Sequence, residues 1–442
     1  MTQAAVSAEP GAGRPTAVLP VGALIRISAF WLGLTSIDAV VNAAVQSRIK
    51  FDGLAEPGTE GTSLAIVALL TFVFSVAVQP TVGSISDYAA TRWGRRKPFI
   101  VFGALFDALF LIGIATANSL MAIAAFVVLL ALSTNVARGP FQGYVPDLVP
   151  DRQVGLASAM VGLMQVLGNV VGFALAAIAN TQGNVGLAIF AIAAIELATM
   201  ASVVWKVPNG PPAKSRDGKS WLAIAAETWG TDILRERSYL WLLASRLFIL
   251  MGGASVLNFI YLYLPDSLGL SQAQSGGAFL QMLAAATVVS LLSIVPASRL
   301  SDRIGRKPVI YGCSVLGGFG IGLIAIAPDP LVATIGAAIF GASQGTFLSV
   351  DWALMTDIIP KASSGRYMGL SNVVTASSTT IAVAIGGPFI DLVNREVGVG
   401  AGPRWEIVLG IGYFVLGALA LRPVAEPDRR HSRRPEPPVP AA

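Results

Sequence analysis

Apolar runs of about twenty residues or more recur along this chain, and its charged residues collect in the short gaps between them. The runs fall near 20–46, 62–86, 98–117, 120–142, 154–180, 184–206, 239–264, 275–299, 308–327, 330–355, 366–392 and 404–422. A helix crossing the hydrocarbon of a bilayer needs roughly 20 such residues. Composition agrees: of 442 residues, 54% are hydrophobic and 12% charged, about half the charge of a typical soluble domain. The expected fold class is an all-α membrane protein with twelve transmembrane helices.

Two of the gaps are versions of one motif. GSISDYAATRWGRRKPFI, Gly83 to Ile100, is answered by SRLSDRIGRKPVI, Ser298 to Ile310. VPDLVPDRQVG, Val145 to Gly155, aligns with MTDIIPKASSG, Met355 to Gly365. Repetition of a loop of Asp, Arg and Gly between apolar runs points to an internally duplicated transporter with two pseudo-symmetric six-helix halves. Its expected parts are a disordered tail at 1–19, a first half at 20–206, a linker at 207–238, a second half at 239–422 and a disordered tail at 423–442. The linker opens with the turn-rich PNGPPAKSRDGK; 220–236 could follow as an interfacial helix anchored by Trp221 and Trp229.

Arg26, Arg138 and Arg246 lie inside the runs, Arg48, Lys50, Arg395 and Arg404 fall on one side, and the other Lys and Arg residues fall on the opposite side. Positive loops stay in the cytoplasm, so a multi-pass protein of the cell membrane with both termini cytoplasmic is expected. The first tail lacks the charged start of a cleavable signal, and the first run is expected to be retained. The basic clusters are short, separated by spans and without aromatic platforms, which argues against a nucleic-acid partner. Cys313, in an apolar run, reads as a small packed hydrophobe. The Arg-rich last tail, with His431, reads as disordered against an anionic leaflet.

The two loops resemble those between helices 2 and 3 and between helices 8 and 9 of the major facilitator superfamily. The first has four extra residues between Asp87 and Gly94 and is preceded by Gln79-Pro80. In this it is similar to the sucrose–proton symporters and, more distantly, to the glycoside–pentoside–hexuronide symporters typified by melibiose permease. The resemblance implies the major facilitator fold and a latch that closes the cytoplasmic side, built from Asp87, Arg92, Gly94, Arg95 and Arg96 and from Asp302, Arg303, Gly305 and Arg306; Lys97 adds a cation. The simpler reading is that these cations obey topology. Where melibiose permease binds its coupling cation with two acidic residues, this chain has Ser75 and Gln79, which argues against sodium. STNVARGPFQGYVPDL resembles the sucrose branch's stretch around Gln-Gly-Pro-Cys-Arg, but Arg and Gln have traded places as Arg138 and Gln142. The Asp that plant members use as a proton acceptor falls on Ala131, so that site does not carry over.

Polar residues inside the runs mark the pathway. Trp31, Thr35, Asp38, Asn42 and Gln46 share one helical face, as do Asn135, Arg138 and Gln142, and Ser158, Gln165 and Asn169 beside Gly162 and Gly172. An Asp within lipid costs about 2.5–3.5 kcal/mol on insertion scales, so Asp38 should face water or protein; a structural hydrogen bond is the plainer reading. Helices 1, 4, 7 and 10 line the cavity in the superfamily, and Asp38, Arg138, Arg246 and Asp351 fall one on each, with Gln344 before Asp351. By helical rise Arg138, Arg246 and Asp351 lie on the order of 10 Å from the cytoplasmic boundary. These three can meet without Asp38, and Asp351 is expected to bridge at least one Arg across the halves when the cytoplasmic side is closed; the plainer alternative is a bond within its own half that only supports folding. Asp107 and Glu196, on helices outside the cavity by resemblance, read as helix-to-helix hydrogen bonds, with Asp107 in reserve as a proton carrier. GGFGIG in the ninth run reads as packing glycines, since no strand precedes it.

The expected function is secondary transport of a polar small molecule, a sugar or glycoside, by proton symport through alternating access. The alternatives are a proton-coupled exporter of organic anions or drugs, suggested by buried Arg outnumbering buried Asp, and a non-transporting receptor or scaffold. No nucleophile–base pair, metal cluster or nucleotide loop suggests an enzyme or a cofactor. The expected partners are the substrate and the bilayer, with the chain working as a monomer.

Overall fold

The computed structural model describes residues 15–213, 215, 218, 220–221, 236–358 and 364–424. The tail before residue 15, the expected interfacial helix beyond Trp221, and His431 with the rest of the last tail lie outside the described residues. Among the described residues there is no strand, and 12 helices are long and apolar enough to cross a membrane. They are α1 (Val21–Phe51), α2 (Glu60–Ser86), α3 (Lys97–Thr116), α4 (Leu120–Leu148), α5 (Val154–Thr181) and α6 (Val185–Lys206). After the linker come α7 (Arg237–Leu257), α8 (Gln272–Ile304), α9 (Arg306–Ile326), α10 (Pro330–Ile358), α11 (Ser364–Val397) and α12 (Ala401–Leu421).

Local chemistry sets several helix ends. Ser119 caps α4 by accepting from the Ala122 amide at 3.2 Å, and Ser271 forms a capping box with Gln274 at the start of α8. Several runs differ from their sequence limits, α1 and α7 among them. α1, interrupted at Ala29, continues to Phe51, several residues past the end expected from hydropathy, because Arg48 and Lys50 stay helical. α7 breaks at Asn258 and resumes as Ile260–Leu268.

The two halves repeat one set of neighbours. In the first, α1 packs on α5 and α6, and α4 on α2 and α3; in the second, α7 packs on α11 and α12, and α10 on α8 and α9. The halves meet where α2 lies on α11 and α5 on α8. Small residues permit these approaches. A Cβ on Gly172 would stand 2.5 Å from the Ser36 carbonyl of α1, and one on Gly168 would stand 2.0 Å from Thr35 Oγ1. Gly168 thus pairs with Gly172 in this contact, while Gly162 has open space around it. In α9, Gly317 and Gly320 face Phe414 and the Phe340 backbone, which is the packing role read for GGFGIG. Phe102, Leu109, Val315 and Phe319 are exposed on the outer surface, where a bilayer would cover them.

Candidate functional site

A cavity whose walls mix apolar and polar side chains lies between the halves and has two lobes. One, of about 380 Å³, is lined by Asp38, Gln79, Thr134, Asn135 and Arg138 together with Thr380. The other, of about 510 Å³, is lined by Asn169, Gln344, Ser290 and Thr375. Asp38, Asn42, Asn258 and Thr379 border both. Pro80 frees a carbonyl in α2 beside this wall. The α2 backbone approaches α4 so closely that a Cβ on Gly139 would stand 2.3 Å from the Gln79 carbonyl.

Arg138 Nη2 donates to Asp38 Oδ2 at 2.6 Å, and the Asp38 side chain stays 51% exposed to the cavity. This corrects the expectation that Arg138 meets Asp351 while Asp38 stands apart. The longer α1 places Asp38 thirteen residues before Phe51, roughly 20 Å from that end at the helical rise. The short helix Tyr144–Leu148 carries the α4 span beyond Gln142, so Arg138 also lies deeper than its run suggested. Asp351 is instead paired with Arg246 of its own half. Arg246 Nε also donates to Thr375 Oγ1 at 3.2 Å, and its guanidinium lies 6.0 Å from the Trp352 ring. The side chains of this second pair are 8% and 3% exposed. Arg138, on the cavity, and Arg246, which with Asp351 borders neither lobe, therefore each have their own carboxylate.

The remaining pathway residues divide. Asn42 Nδ2 donates to Asn258 Oδ1 at the break in α7, and Gln46 Nε2 donates to Asn42 Oδ1 at 2.7 Å and to the Leu257 carbonyl at 3.0 Å. Asn135, Asn169 and Gln344 line the cavity, as read from their faces. Gln142 is exposed and does not border either lobe. Gln165 borders neither lobe; its backbone carbonyl accepts from Thr35 Oγ1 at 3.1 Å. Asp107 and Glu196 are fully buried behind the cavity wall.

On the face that carries the basic loops, Arg95 Nη2 and Arg96 Nε each lie 2.6 Å from the two Asp147 oxygens. Arg96 Nη2 lies 3.0 Å from Asp87. The pairing cations are thus Arg95 and Arg96, whereas Arg92 is exposed beside Trp93. Gly94 and Gly305 both turn the chain with positive φ, 87° and 102°. In the second loop Asp302 pairs with Arg306 at 2.9 Å across the Gly305 turn, Arg306 also donates to Ser301 Oγ, and Arg303 is exposed.

The opposite face is closed by ties between the halves that sequence reasoning missed. Lys50 Nζ lies 2.5 Å from Asp266 and 3.7 Å from Glu60. Asp391 of α11 accepts from the Gly61 and Thr62 amides at 3.0 and 2.6 Å, capping the first turn of α2. Burial raises the pKa of Asp266, which lies outside the spans, and Lys50 acts in the opposite direction. Asp147 sat in the quoted repeat VPDLVP, so its signal was present. Asp266 and Asp391 have no local motif; only the folded contact marks them.

Two six-helix halves, duplicated in their packing and tied across one face over a cavity that carries polar groups from both, have the architecture of a membrane transporter. The chain belongs to the Major Facilitator Superfamily, whose profile matches residues 43–372 and 247–441. It is a membrane transporter and not an enzyme. Over 186 residues it is 26% identical to the sucrose transport protein SUC4 of Arabidopsis thaliana, a stretch that is 38% of this chain and 36% of that one. Over 158 residues it is 30% identical to solute carrier family 45 member 4 of Homo sapiens, 32% of this chain and 21% of that protein. The match spans about a third or less of these relatives' own length. The fold is shared with the nucleoside transporter NupG, at a TM-score of 0.67 and 14% identity over 92% of this chain and 99% of that one. It is also shared with a bacterial homolog of the human lysosomal transporter Spinster, at 0.70 and 13% over 92% and 97%.

Proposed function

We propose that this protein moves a sugar or glycoside across the cell membrane by proton symport, with both termini in the cytoplasm, alternating between cavities open to either side. The observation that carries this reading is the cavity lining. Its polar groups are neutral amides and hydroxyls, which bind a polyol through directed hydrogen bonds, and its one exposed ionisable pair is Asp38–Arg138. Lobes of about 380 and 510 Å³ lie within the range of small-molecule sites. The relatives named as sucrose transporters support the substrate class. Asp38 is the carboxylate that a proton from the cavity reaches first: protonation neutralises it, loosens Arg138, and leaves the guanidinium to meet a substrate hydroxyl.

The organic-anion reading rested on surplus buried Arg, and the pairing of Arg138 and Arg246 with Asp38 and Asp351 removes that surplus. The test is uptake of labelled sucrose into proteoliposomes. Accumulation should follow an imposed pH gradient and ignore sodium at fixed pH and potential. Stimulation by sodium, or accumulation indifferent to pH, would refute it.

A further inference from the structure

On the face that carries the basic loops, α3 begins at Lys97 and α6 ends at Lys206, and a cleft of about 520 Å³ opens between these two helix ends. It shares no residue with the cavity between the halves. Its mouth carries two cations, Arg92 and Lys97, and two indoles, Trp93 and Trp205. Both indoles are exposed, Trp205 by 83%, at the ends of the spans, the level where the headgroups of a bilayer meet its hydrocarbon. Val101 and Ala201 line the cleft one helical turn, roughly 6 Å, further into the spans. Leu105 and Leu109 follow Val101 on the same face of α3 at steps of four, and both are exposed. The cleft therefore opens onto the surface that lipid covers.

The cations of this mouth differ from their neighbours. Arg95 and Arg96 turn inward onto Asp147 and Asp87, which balance them. Arg92 faces out. Lys97 Nζ donates one hydrogen to the Val207 carbonyl at 2.8 Å and keeps two of its three for another acceptor. Among the described residues no Asp or Glu lines the cleft. Two cations without a counter-ion, beside an apolar floor, fit an anion that has an apolar part. A free phosphate would satisfy the cations and leave the floor and the indoles uncovered, whereas a phospholipid covers both. The first loop is held in place for this: Gly94 turns with φ 87°, and a Cβ there would stand 3.1 Å from Asn209 Cγ, so the loop leans on the chain just past α6. The duplicated half offers a contrast. Between α9 and α12 a cleft of about 370 Å³ is lined by Tyr311, Phe319 and Phe414, and among its described lining residues there is no Trp and Arg422 is the one charge. Lys307, which matches Lys97 in the repeat, gives its hydrogens to the Arg422 and Val424 carbonyls at 2.9 and 2.8 Å.

We propose that the cleft between α3 and α6 binds an anionic phospholipid of the surrounding leaflet, its phosphate held by Arg92 and Lys97, its glycerol region between Trp93 and Trp205, and one acyl chain laid along Val101 and Leu105. Charge selects the occupant, because a zwitterionic lipid brings its own ammonium against the two cations. The lipid joins the first basic loop to the end of α6, and both belong to the first half. It anchors that loop without bridging the halves.

The experiment is native mass spectrometry of the full-length protein, delipidated in detergent and offered equal amounts of phosphatidylglycerol and phosphatidylcholine with the same acyl chains. The wild type should retain phosphatidylglycerol in preference, by about fivefold for each of the two cations. Arg92→Gln should cut the preference about fivefold, Arg92→Gln with Lys97→Gln should abolish it, and Trp205→Ala should lower retention of the lipid. Arg422→Gln, in the second cleft, should leave the preference as it is. A preference that survives in the double variant, or falls as far in Arg422→Gln, overturns the proposal. Displacement of the lipid by inorganic phosphate at the same concentration overturns it too, since the cleft would then be a site for a soluble anion. A wild type that retains no phosphatidylglycerol overturns it by leaving the cleft to another segment of the chain. If Lys97→Gln fails to fold for want of its tie to Val207, Arg92→Gln at its exposed position decides alone, and an unchanged preference there refutes the site.

Discussion

Replacing Asp351 with Asn should destabilise the second half more than any single change on the exposed loops. The side chains of Arg246 and Asp351 are 8% and 3% exposed, so water screens neither and the surviving guanidinium stays buried. Removing one partner of such a pair costs about 3–5 kcal/mol. At about 1.4 kcal/mol per factor of ten, that is roughly two to four orders of magnitude in the folded ratio. Thr375 Oγ1, 3.2 Å from Arg246 Nε, offers a neutral acceptor and returns only a little of this. Thermal unfolding in detergent, repeated for a double-mutant cycle, reads the coupling. Asp351→Arg should abolish folding and transport together, and adding Arg246→Asp should restore part of both. Adding Arg138→Asp should not, because that change breaks the Asp38 pair of the other half. Rescue by Arg138→Asp equal to rescue by Arg246→Asp, or a loss under about 1 kcal/mol in Asp351→Asn, would refute the assignment of the pair to one half.

The charge clusters at the two basic loops should respond unequally. Asp147→Ala takes the shared carboxylate from two buried guanidiniums, of which Arg96 keeps Asp87, and should cost on the order of 3 kcal/mol, whereas Asp302, 53% exposed, should cost about 0.2–1 kcal/mol when changed to Ala; chemical unfolding of each variant checks the order. On the opposite face, burial raises the Asp266 pKa above its ordinary 3.8, so the closed face binds this proton more tightly than an opened one would. Acidification from above the raised value down towards 3.8 should then favour closure, and rising pH should favour opening. Distances between spin labels across that face should show this shift in the wild type and not in Asp266→Asn.

The twelve helices were legible because their signal is local: a run long enough to cross lipid must hide its own backbone, and the sequence displays each one. The loop motif likewise marked Asp87, Gly94, Arg95 and Arg96 as one cluster. Depth was harder to read. A hydropathy window stops at the first charge, but Arg48 continues α1, where it donates to the Ile114 and Ala117 carbonyls at 2.6 Å. That difference sinks Asp38 towards Arg138 and decides which carboxylate each Arg takes. Asp391 and the Lys50–Asp266 tie join residues hundreds of positions apart, and no spacing in the sequence reports such a contact.

The duplicated halves have therefore diverged in what their charges can do. Both hold an Arg–Asp pair, but Asp38 is half exposed to the cavity, whereas Arg246 and Asp351 border neither lobe and Asp351 is sealed. A carboxylate that meets water can gain or lose a proton at modest cost, whereas a sealed one must drag its partner's charge through the same change. The first half also buries Asp107 and Glu196, and the second half has Gly317 at the position that matches Asp107. In a two-state transporter a ligand shifts the balance only by binding one state better than the other. The proton's effect should accordingly enter through the first half, with the Arg246–Asp351 pair holding α7 and α10 as the rigid counterpart against which that half moves.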